Sequence, residues 1–140
     1  MNKFDKAYLK MAQEWAKLSY CKRKQVGALI VKDRMIISDG YNGTPSGFEN
    51  CCEDSEGRTH WYVLHAEANA ILKLAASTQS AQGATLYLTL SPCKECSKLI
   101  LQAGIARLVY INENSDDDGI SFLRNHQIEI EQISDYELKK

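Results

Sequence analysis

Two short segments of the chain carry residues that could bind a metal ion and move protons. His65 and Glu67 open one helix-like stretch, and Cys93 and Cys96 open another, directly after Pro92. One imidazole and two thiolates can hold zinc, and three protein ligands leave the fourth tetrahedral position open for a water that loses a proton near neutral pH. The pattern therefore favours a catalytic zinc site over a purely structural one.

Glu67 is the candidate for proton transfer. It lies two residues after His65, so in the first turn of a helix its carboxylate can stand beside the metal without binding it. There it would take a proton from an activated water and pass it on to the reacting molecule. Cys93 and Cys96 are one helical turn apart, near a helix N-terminus whose dipole favours thiolates. A closed structural zinc site and a redox dithiol are the alternatives.

Composition narrows the class of protein. The chain has 140 residues, of which 44% are hydrophobic and 25% charged, which predicts one globular domain over 1–140. The formal net charge is -1, and without a basic stripe we expect a small-molecule substrate and no nucleic-acid partner. No apolar run approaches the roughly 20 residues of a membrane span, and the start lacks the apolar segment of a signal peptide. We therefore expect no membrane partner and a cytoplasmic location.

The periodicity of apolar residues predicts alternating strands and helices. Spacing by three or four predicts a first helix over 4–19, and two β-branched runs predict a hairpin over 26–38. The further predicted elements are a helix over 65–76, a strand over 85–90, a helix over 93–103, a strand over 107–111, a helix over 120–125, a strand over 128–132 and a charged tail. This order predicts a three-layer α/β/α sandwich with a mixed central sheet of about five strands.

The segment 40–58 fits neither period, and a loop this long in a small domain is usually functional. We expect it at the mouth of the active site. The chain has five cysteines, and in a reducing compartment a C-x-x-C pair indicates metal binding before disulfide bonding.

The spacing H-x-E followed by P-C-x-x-C is an established signature of zinc-dependent nucleobase deaminases, and more of the chain resembles the deoxycytidylate deaminases of the cytidine deaminase superfamily. The segments that carry this resemblance are V-G-A at 26–28, G-Y-N-G-T-P-S-G at 40–47, H-A-E-A-N-A-I at 65–71, S-P-C-K-E-C at 91–96 and Q-A-G-I at 102–105. The resemblance implies a cytidine-deaminase-like sandwich and a zinc hydrolase that acts on a cyclic amidine. It would convert dCMP to dUMP with release of ammonia, for thymidylate synthesis.

The resemblance also implies contacts with a nucleotide substrate. Asn42 should hydrogen-bond the sugar, the backbone of Ala66 should meet the base carbonyl, and Ser91 belongs to the same substrate-binding set. Asn42 also fits a plain Asn-Gly hairpin turn, although the Pro that soon follows disfavours a continued strand. For the phosphate we favour Arg23, since a guanidinium can bind it in bidentate fashion, against a solvated run of charges at 22–24.

Members of this family often form hexamers that dCTP activates and dTTP inhibits. The resemblance therefore implies a homo-oligomer, with a hexamer favoured, and a nucleotide effector bound with Mg²⁺ near Gly43, Thr44 and Gly47. The family commonly places an aromatic residue in the loop after Tyr110, whereas this chain has Asn-Ser-Asp-Asp-Asp at 114–118.

A second, structural zinc is a further hypothesis drawn from the resemblance. Its ligands would come from Cys21, Cys51 or Cys52, and His60. Buried thiols that merely pack are the alternative.

Two other functions remain open. One is a deaminase acting on another cytosine nucleotide or nucleoside, or on tRNA adenosine; the tRNA case would call for a basic approach surface. The other is a catalytically silent zinc-binding module, which the presence of Glu67 disfavours.

Overall fold

The secondary structure follows the predicted order closely. The structure is a computed structural model that describes residues 2–140. Its elements in chain order are α1 (Lys3–Ala16), β1 (Gly27–Lys32), β2 (Met35–Tyr41), α2 (Ala66–Ala75), β3 (Thr85–Leu90), α3 (Lys94–Gln102), β4 (Arg107–Asn112), α4 (Asp118–Arg124), β5 (Glu129–Gln132) and α5 (Asp135–Lys139). The predicted charged tail is wrong in part, because α5 forms there with the Ser134 side chain accepting the amide of Glu137 as its N-cap.

The five strands form one mixed sheet in the order β2-β1-β3-β4-β5. β1 runs antiparallel to β2 and β3, whereas β3, β4 and β5 are parallel to one another. Parallel neighbours need a crossover, and α3 supplies it between β3 and β4. The carboxyl ends of β3 and β4 therefore meet at one edge of the sheet, where the segment carrying Ser91 and Cys93 begins.

Alternate residues of the strands point to opposite faces of the sheet and pack in two separate hydrophobic cores. In β1, Ala28 and Ile30 pack in one core with residues of α2, α3 and α4. Leu29 and Val31 pack in the other, with residues of α1 and α5. Helices therefore cover both faces of the sheet, which confirms the predicted three-layer α/β/α architecture.

The predicted core-facing side of the first helix is wrong in part, although Tyr8 does pack against the core. The apolar spacing singles out Phe4, Tyr8, Met11, Trp15 and Leu18. The residues of α1 that are buried are Asp5, Leu9, Ala12 and Ala16, while Met11 is 38% exposed and Leu18, beyond the helix, 55%. A Cβ at Gly27 would lie 1.9 Å from the carbonyl oxygen of Ala12, so the helix approaches β1 too closely for large side chains along this line.

A similar close approach fixes the start of α2 over β2. A Cβ at Gly40 would lie 2.6 Å from the carbonyl oxygen of Ala66. The Ser38 hydroxyl donates to the carbonyl oxygen of Ala70 at 2.6 Å, which joins strand and helix one turn further on. These contacts place the first turn of α2 at the same end of the sheet as the start of α3. Within residues 2–140, no helix combines the length and apolarity that crossing a bilayer requires.

Candidate metal centre and active site

Three predicted ligands converge in the structure. The Nδ1 atom of His65 lies 3.2 Å from the Cys96 sulfur and 3.6 Å from the Cys93 sulfur. All three donor atoms lie within 4.8 Å of one another. An imidazole nitrogen and two sulfurs are the donors that zinc prefers, and a set of three is typical of catalytic sites that keep one position open. The residues present therefore fit a zinc ion.

The starts of two helices build this centre. His65 is the N-cap of α2, and Cys93 is the N-cap of α3, where its sulfur accepts the amide of Cys96. The Ser97 hydroxyl bonds the carbonyl oxygen of Cys93 at 2.8 Å, and a Cβ at Gly119 would lie 2.5 Å from this hydroxyl. α4 therefore packs tightly against the turn that carries both cysteines.

The electrostatics of the centre favour a thiolate beside a charged imidazole. Hydrogen bonds from Cys96 and His65 lower the pKa of Cys93 to about 3. The hydrogen bond to Cys93 in turn raises the pKa of His65. The hydrogen bond to Cys93 and burial raise the pKa of Cys96.

Glu67 lies beside the ligands in the first turn of α2. The residue is only 4% exposed, and it lines a cavity that also reaches His65 and Cys93. Burial raises the pKa of its carboxyl group to about 7. A carboxyl group with this environment can both accept and donate a proton near neutral pH.

The cavity beside Glu67 has a volume of about 200 Å³. The structure brings all four predicted substrate-binding residues to its wall, namely Arg23, Asn42, Ala66 and Ser91. The segment 40–58 contributes Asn42 and Glu53 to this wall, and Thr59 and Val63 follow it there. The expected position of this loop at the mouth of the site is thus confirmed.

The side chain of Asn42 holds backbone on the cavity wall. Its Oδ1 accepts the amide of Val26 at 2.9 Å, and its Nδ2 donates to the carbonyl oxygen of Lys24 at 2.8 Å. One N–H of the Asn42 amide remains for a ligand. The alternative of a plain hairpin turn does not describe this residue, because the two bonds reach back to the segment before β1.

Ser91 is fixed by the loop after β4. Its hydroxyl accepts the amide of Asn114 at 2.7 Å, and its own amide donates to the carbonyl oxygen of Asn112. Asn114, Lys24 and Glu53 line the cavity as well, and sequence reasoning did not single them out. Lys24 could have been predicted as a cavity residue because it belongs to the basic run at 22–24. Glu53 and Asn114 lie in loops, and no sequence pattern predicts where these loops run.

The three residues of the predicted effector loop lie outside the cavity wall. The amide of Thr44 donates to the Tyr20 hydroxyl at 2.9 Å, and a Cβ at Gly43 would lie 2.9 Å from the same oxygen. Gly47 has a φ of +89° in an open turn, where glycine is favoured. This loop is therefore separate from the groups that would meet the base.

The remaining cysteines do not form the predicted ligand set. Cys21 and Cys52 are joined by a disulfide, with 5.2 Å between their Cα atoms, and neither predicted state of this pair, zinc ligands or packed free thiols, included such a bond. Their sulfurs and the carboxylate of Glu53 lie within 4.8 Å of one another. Cys51 is an exposed free thiol, and the His60 ring stacks on Tyr62; neither belongs to that group.

Comparisons with known proteins agree with the geometry. Residues 2–112 match the family described as the cytidine and deoxycytidylate deaminase zinc-binding region. The chain is 39% identical over 125 residues to the deoxycytidylate deaminase of Mycobacterium phage D29, covering 79% of this chain and 96% of that protein. It is 36% identical over 168 residues to the deoxycytidylate deaminase of Enterobacteria phage T4, covering 87% of this chain and 86% of that protein.

Among solved structures, the fold is similar to that of the dCMP deaminase from the cyanophage S-TIM5 in complex with dCMP and dUMP. The TM-score is 0.92 at 46% sequence identity, over 95% of this chain and 99% of that chain. These matches agree with the three donors that fit zinc and with the buried glutamate, and the chain belongs to the family of cytidine and deoxycytidylate deaminases.

Proposed function

We propose that this protein hydrolyses dCMP to dUMP and ammonia and so supplies dUMP for thymidylate synthesis. The observation that carries the proposal is the convergence of a buried carboxylate, Glu67, with three zinc donors, of which His65 and Cys93 line the same cavity as Glu67. The same wall carries Arg23 and Lys24, which give the cavity a positive side for a phosphate.

His65 Nδ1 and the sulfurs of Cys93 and Cys96 would hold the zinc ion. When bound, zinc lowers the pKa of a coordinated water towards neutrality. The helix N-termini that carry His65 and Cys93 keep these donors fixed, and their dipoles stabilise thiolate at the cysteines.

Glu67 moves the protons of the reaction. Its carboxylate accepts a proton from the attacking water as the water oxygen bonds to C4 of the cytosine ring, and it delivers that proton to N3. Glu67 then takes the proton of the new C4 hydroxyl and transfers it to the amino nitrogen, the C4–N bond breaks and ammonia leaves. The C4 carbonyl of dUMP remains, so atoms and charges balance.

The cavity wall orients the nucleotide. We propose that the remaining N–H of Asn42 donates to the sugar and that Ser91 completes this contact. The amide of Ala66 lies in the first turn of α2, where backbone N–H groups have no partner in the preceding turn, and it would donate to the base carbonyl. Arg23 would bind the phosphate.

The first experiment follows the loss of cytosine absorbance with dCMP, CMP, deoxycytidine and dCTP offered side by side to the zinc-loaded protein. We expect fast turnover of dCMP alone. Comparable turnover of deoxycytidine would contradict phosphate recognition, and absence of turnover on all four would contradict the proposed substrate class.

A second experiment tests the ligand set. Cys96→Ser should lose zinc together with stability, because metal binding and folding are coupled. Zinc content is measured on the purified variant alongside a thermal melt, with the exposed Cys51→Ser as the matched control. A stable Cys96→Ser protein with full zinc content would contradict the assignment.

We also propose nucleotide regulation of a cytoplasmic homo-oligomer, with a hexamer favoured. The loop with Gly43, Thr44 and Gly47 would bind dCTP as activator or dTTP as inhibitor, each with Mg²⁺. Two aromatic residues near this loop, Phe48 and Trp61, are largely exposed, and such surface suits a subunit contact. The mass of the particle, measured with and without Mg²⁺-dCTP, tests both points; a monomer indifferent to dCTP would contradict them.

A second, structural zinc is a separate proposal. After reduction, the sulfurs of Cys21 and Cys52 and the carboxylate of Glu53 would offer three donors within 4.8 Å, and a closed tetrahedral zinc site would need one more. Zinc is counted in the reduced protein and in Cys21→Ser. We expect the count to fall by one in the variant, and an unchanged count would end the idea.

A further inference from the structure

The carboxylate of Glu53 binds the backbone of the basic segment at the cavity. Its Oε2 accepts the amide of Lys22 at 3.0 Å and the amide of Arg23 at 3.1 Å. Hydrogen bonds to an ionised carboxylate are about twice as strong as neutral ones. Two successive amides that converge on one oxygen fix the direction in which this segment runs.

The loop that carries Glu53 is itself tied in place on both sides. Cys52 precedes Glu53 and is bonded to Cys21, the residue before Lys22. Glu53 also forms an isolated β-bridge with Thr59. The loop that carries the Glu53 carboxylate is therefore held in place, and Glu53 lines the same cavity as Glu67.

The other end of the basic segment is held by Asn42. Its side chain bonds the carbonyl oxygen of Lys24 and the amide of Val26. Arg23 and Lys24 thus lie between two anchors, Glu53 before them and Asn42 after them, and both line the cavity. With the backbone fixed at both ends, their side chains have less freedom to lose when they bind an anion.

We propose that Glu53 is a positioning residue for recognition of the substrate's 5′-phosphate. Its carboxylate turns towards two backbone amides and holds them, so that the cationic side chains of Arg23 and Lys24 remain directed to the phosphate. This inference rests on the proposed function, because it takes a nucleoside monophosphate as the substrate. Glu53 touches no reacting atom in it and acts through the basic segment.

The test compares dCMP with deoxycytidine, which lacks the phosphate. Values of kcat and KM are measured for both substrates with the wild type, Glu53→Ala, Glu53→Gln and a control, Glu56→Ala. Glu56 lies in the same loop with an exposed carboxylate that pairs with Arg58, so its loss changes the loop charge equally.

We expect Glu53→Ala to lower kcat/KM for dCMP by about tenfold, chiefly through KM, because two charge-assisted hydrogen bonds are lost. The value for deoxycytidine should stay within about twofold, since no phosphate has to be placed. The kcat/KM of Glu53→Gln for dCMP should lie between the values of the wild type and Glu53→Ala, because the amide oxygen of the glutamine still accepts hydrogen bonds. Glu56→Ala should behave as the wild type on both substrates.

Each other outcome overturns the proposal. Equal losses on both substrates would show that Glu53 only supports the fold, and unchanged kinetics would show that the anchor is not needed. If Glu53→Ala does not fold, the proposal is tested with Glu53→Gln, by the same comparison of kcat/KM for dCMP with kcat/KM for deoxycytidine. If the wild type does not prefer dCMP over deoxycytidine, the proposed function itself is contradicted. If both Glu53 variants keep the wild-type preference for dCMP, only the role of Glu53 is contradicted.

Discussion

Among residues 2–140, two carboxylates are almost fully buried, and their pKa values shift in opposite directions. Glu67 is 4% exposed and Asp5 is 1% exposed. Burial raises the pKa of Glu67 to about 7, whereas hydrogen bonds from Arg107 lower the pKa of Asp5 below its ordinary value of 3.8. Similar burial thus accompanies opposite pKa shifts, and the difference lies in the partners of the two carboxylates.

Asp5 has permanent partners. Arg107 donates to its two carboxylate oxygens at 2.9 and 2.8 Å, and the Tyr87 hydroxyl donates at 2.6 Å. In the described part of the chain, no lysine or arginine forms an ion pair with Glu67. A buried carboxylate that keeps a cation beside it is held ionised, and one without such a cation can exchange protons.

The two carboxylates also occupy opposite ends and faces of the sheet. Asp5 meets Arg107 at the first residue of β4, on the side covered by α1. Glu67 lies at the start of α2, close to the turn that follows the carboxyl end of β3. We therefore expect the Asp5 cluster to serve stability and the Glu67 cluster to serve chemistry, and each can be tested without disturbing the other.

Removing the charge of Glu67 should have the largest effect. We expect Glu67→Gln to lower kcat for dCMP by about 10² to 10⁴, the range for loss of a general acid–base group. Zinc content and thermal stability should be kept, because the amide has the same shape and no desolvation cost of a charge. Turnover and zinc are measured together, with the exposed Glu95→Gln as control. Ordinary turnover would show that Glu67 does not transfer protons.

Removing the charge of Asp5 should instead affect stability. Asp5→Asn leaves the Arg107 guanidinium partly buried without its main partner, and the free energy of unfolding should fall by about 3–5 kcal/mol at pH 7. Urea denaturation measures the change, and Asp33→Asn in the exposed turn between β1 and β2 is the control. Activity per folded molecule should stay the same. A loss of activity without a loss of stability would contradict the division between the two clusters.

Tyr87→Phe sharpens the comparison, because it removes one donor and keeps the ion pair. The hydroxyl of Tyr87 donates to Asp5 from within the core, and a hydrogen bond to a charged group contributes about 1.5–3 kcal/mol. We expect the free energy of unfolding to fall within this range, and less than in Asp5→Asn. An equal fall in both variants would show that the phenol, and not the guanidinium, keeps Asp5 ionised.

The smallest effect concerns pH. Because the folded pKa of Asp5 lies below the unfolded value of about 3.8, its stabilising contribution is complete above that value. The contribution is lost as the pH falls through the folded pKa. The difference in unfolding free energy between wild type and Asp5→Asn should therefore be constant from pH 5 to pH 7 and shrink below about pH 4. If the difference in unfolding free energy instead grew as the pH fell, the pKa of Asp5 would be shifted in the opposite direction to the one assigned.

Local patterns predicted much of the fold and the ligands of the site. His65, Cys93 and Cys96 could be found because metal ligands at helix starts follow short, fixed spacings. The strands could be found because β-branched runs alternate with helical periods. The buried face of α1 could not be predicted in this way, because apolar spacing favours the large residues of the helix. The close contact with Gly27 instead requires small residues, and the ion pair with Arg107 buries Asp5.

The sequence alone predicted the family, the order of strands and helices as far as β5, the candidate zinc ligands and the candidate proton-transfer residue Glu67, because these depend on neighbours along the chain. Only the tertiary structure decided that Asp5 meets Arg107 across 102 positions, that Cys21 joins Cys52, and that the carboxylate of Glu53 holds the basic segment at the cavity. Such contacts join loops and elements distant in the chain, and their geometry arises when the sheet and its two helical layers pack together.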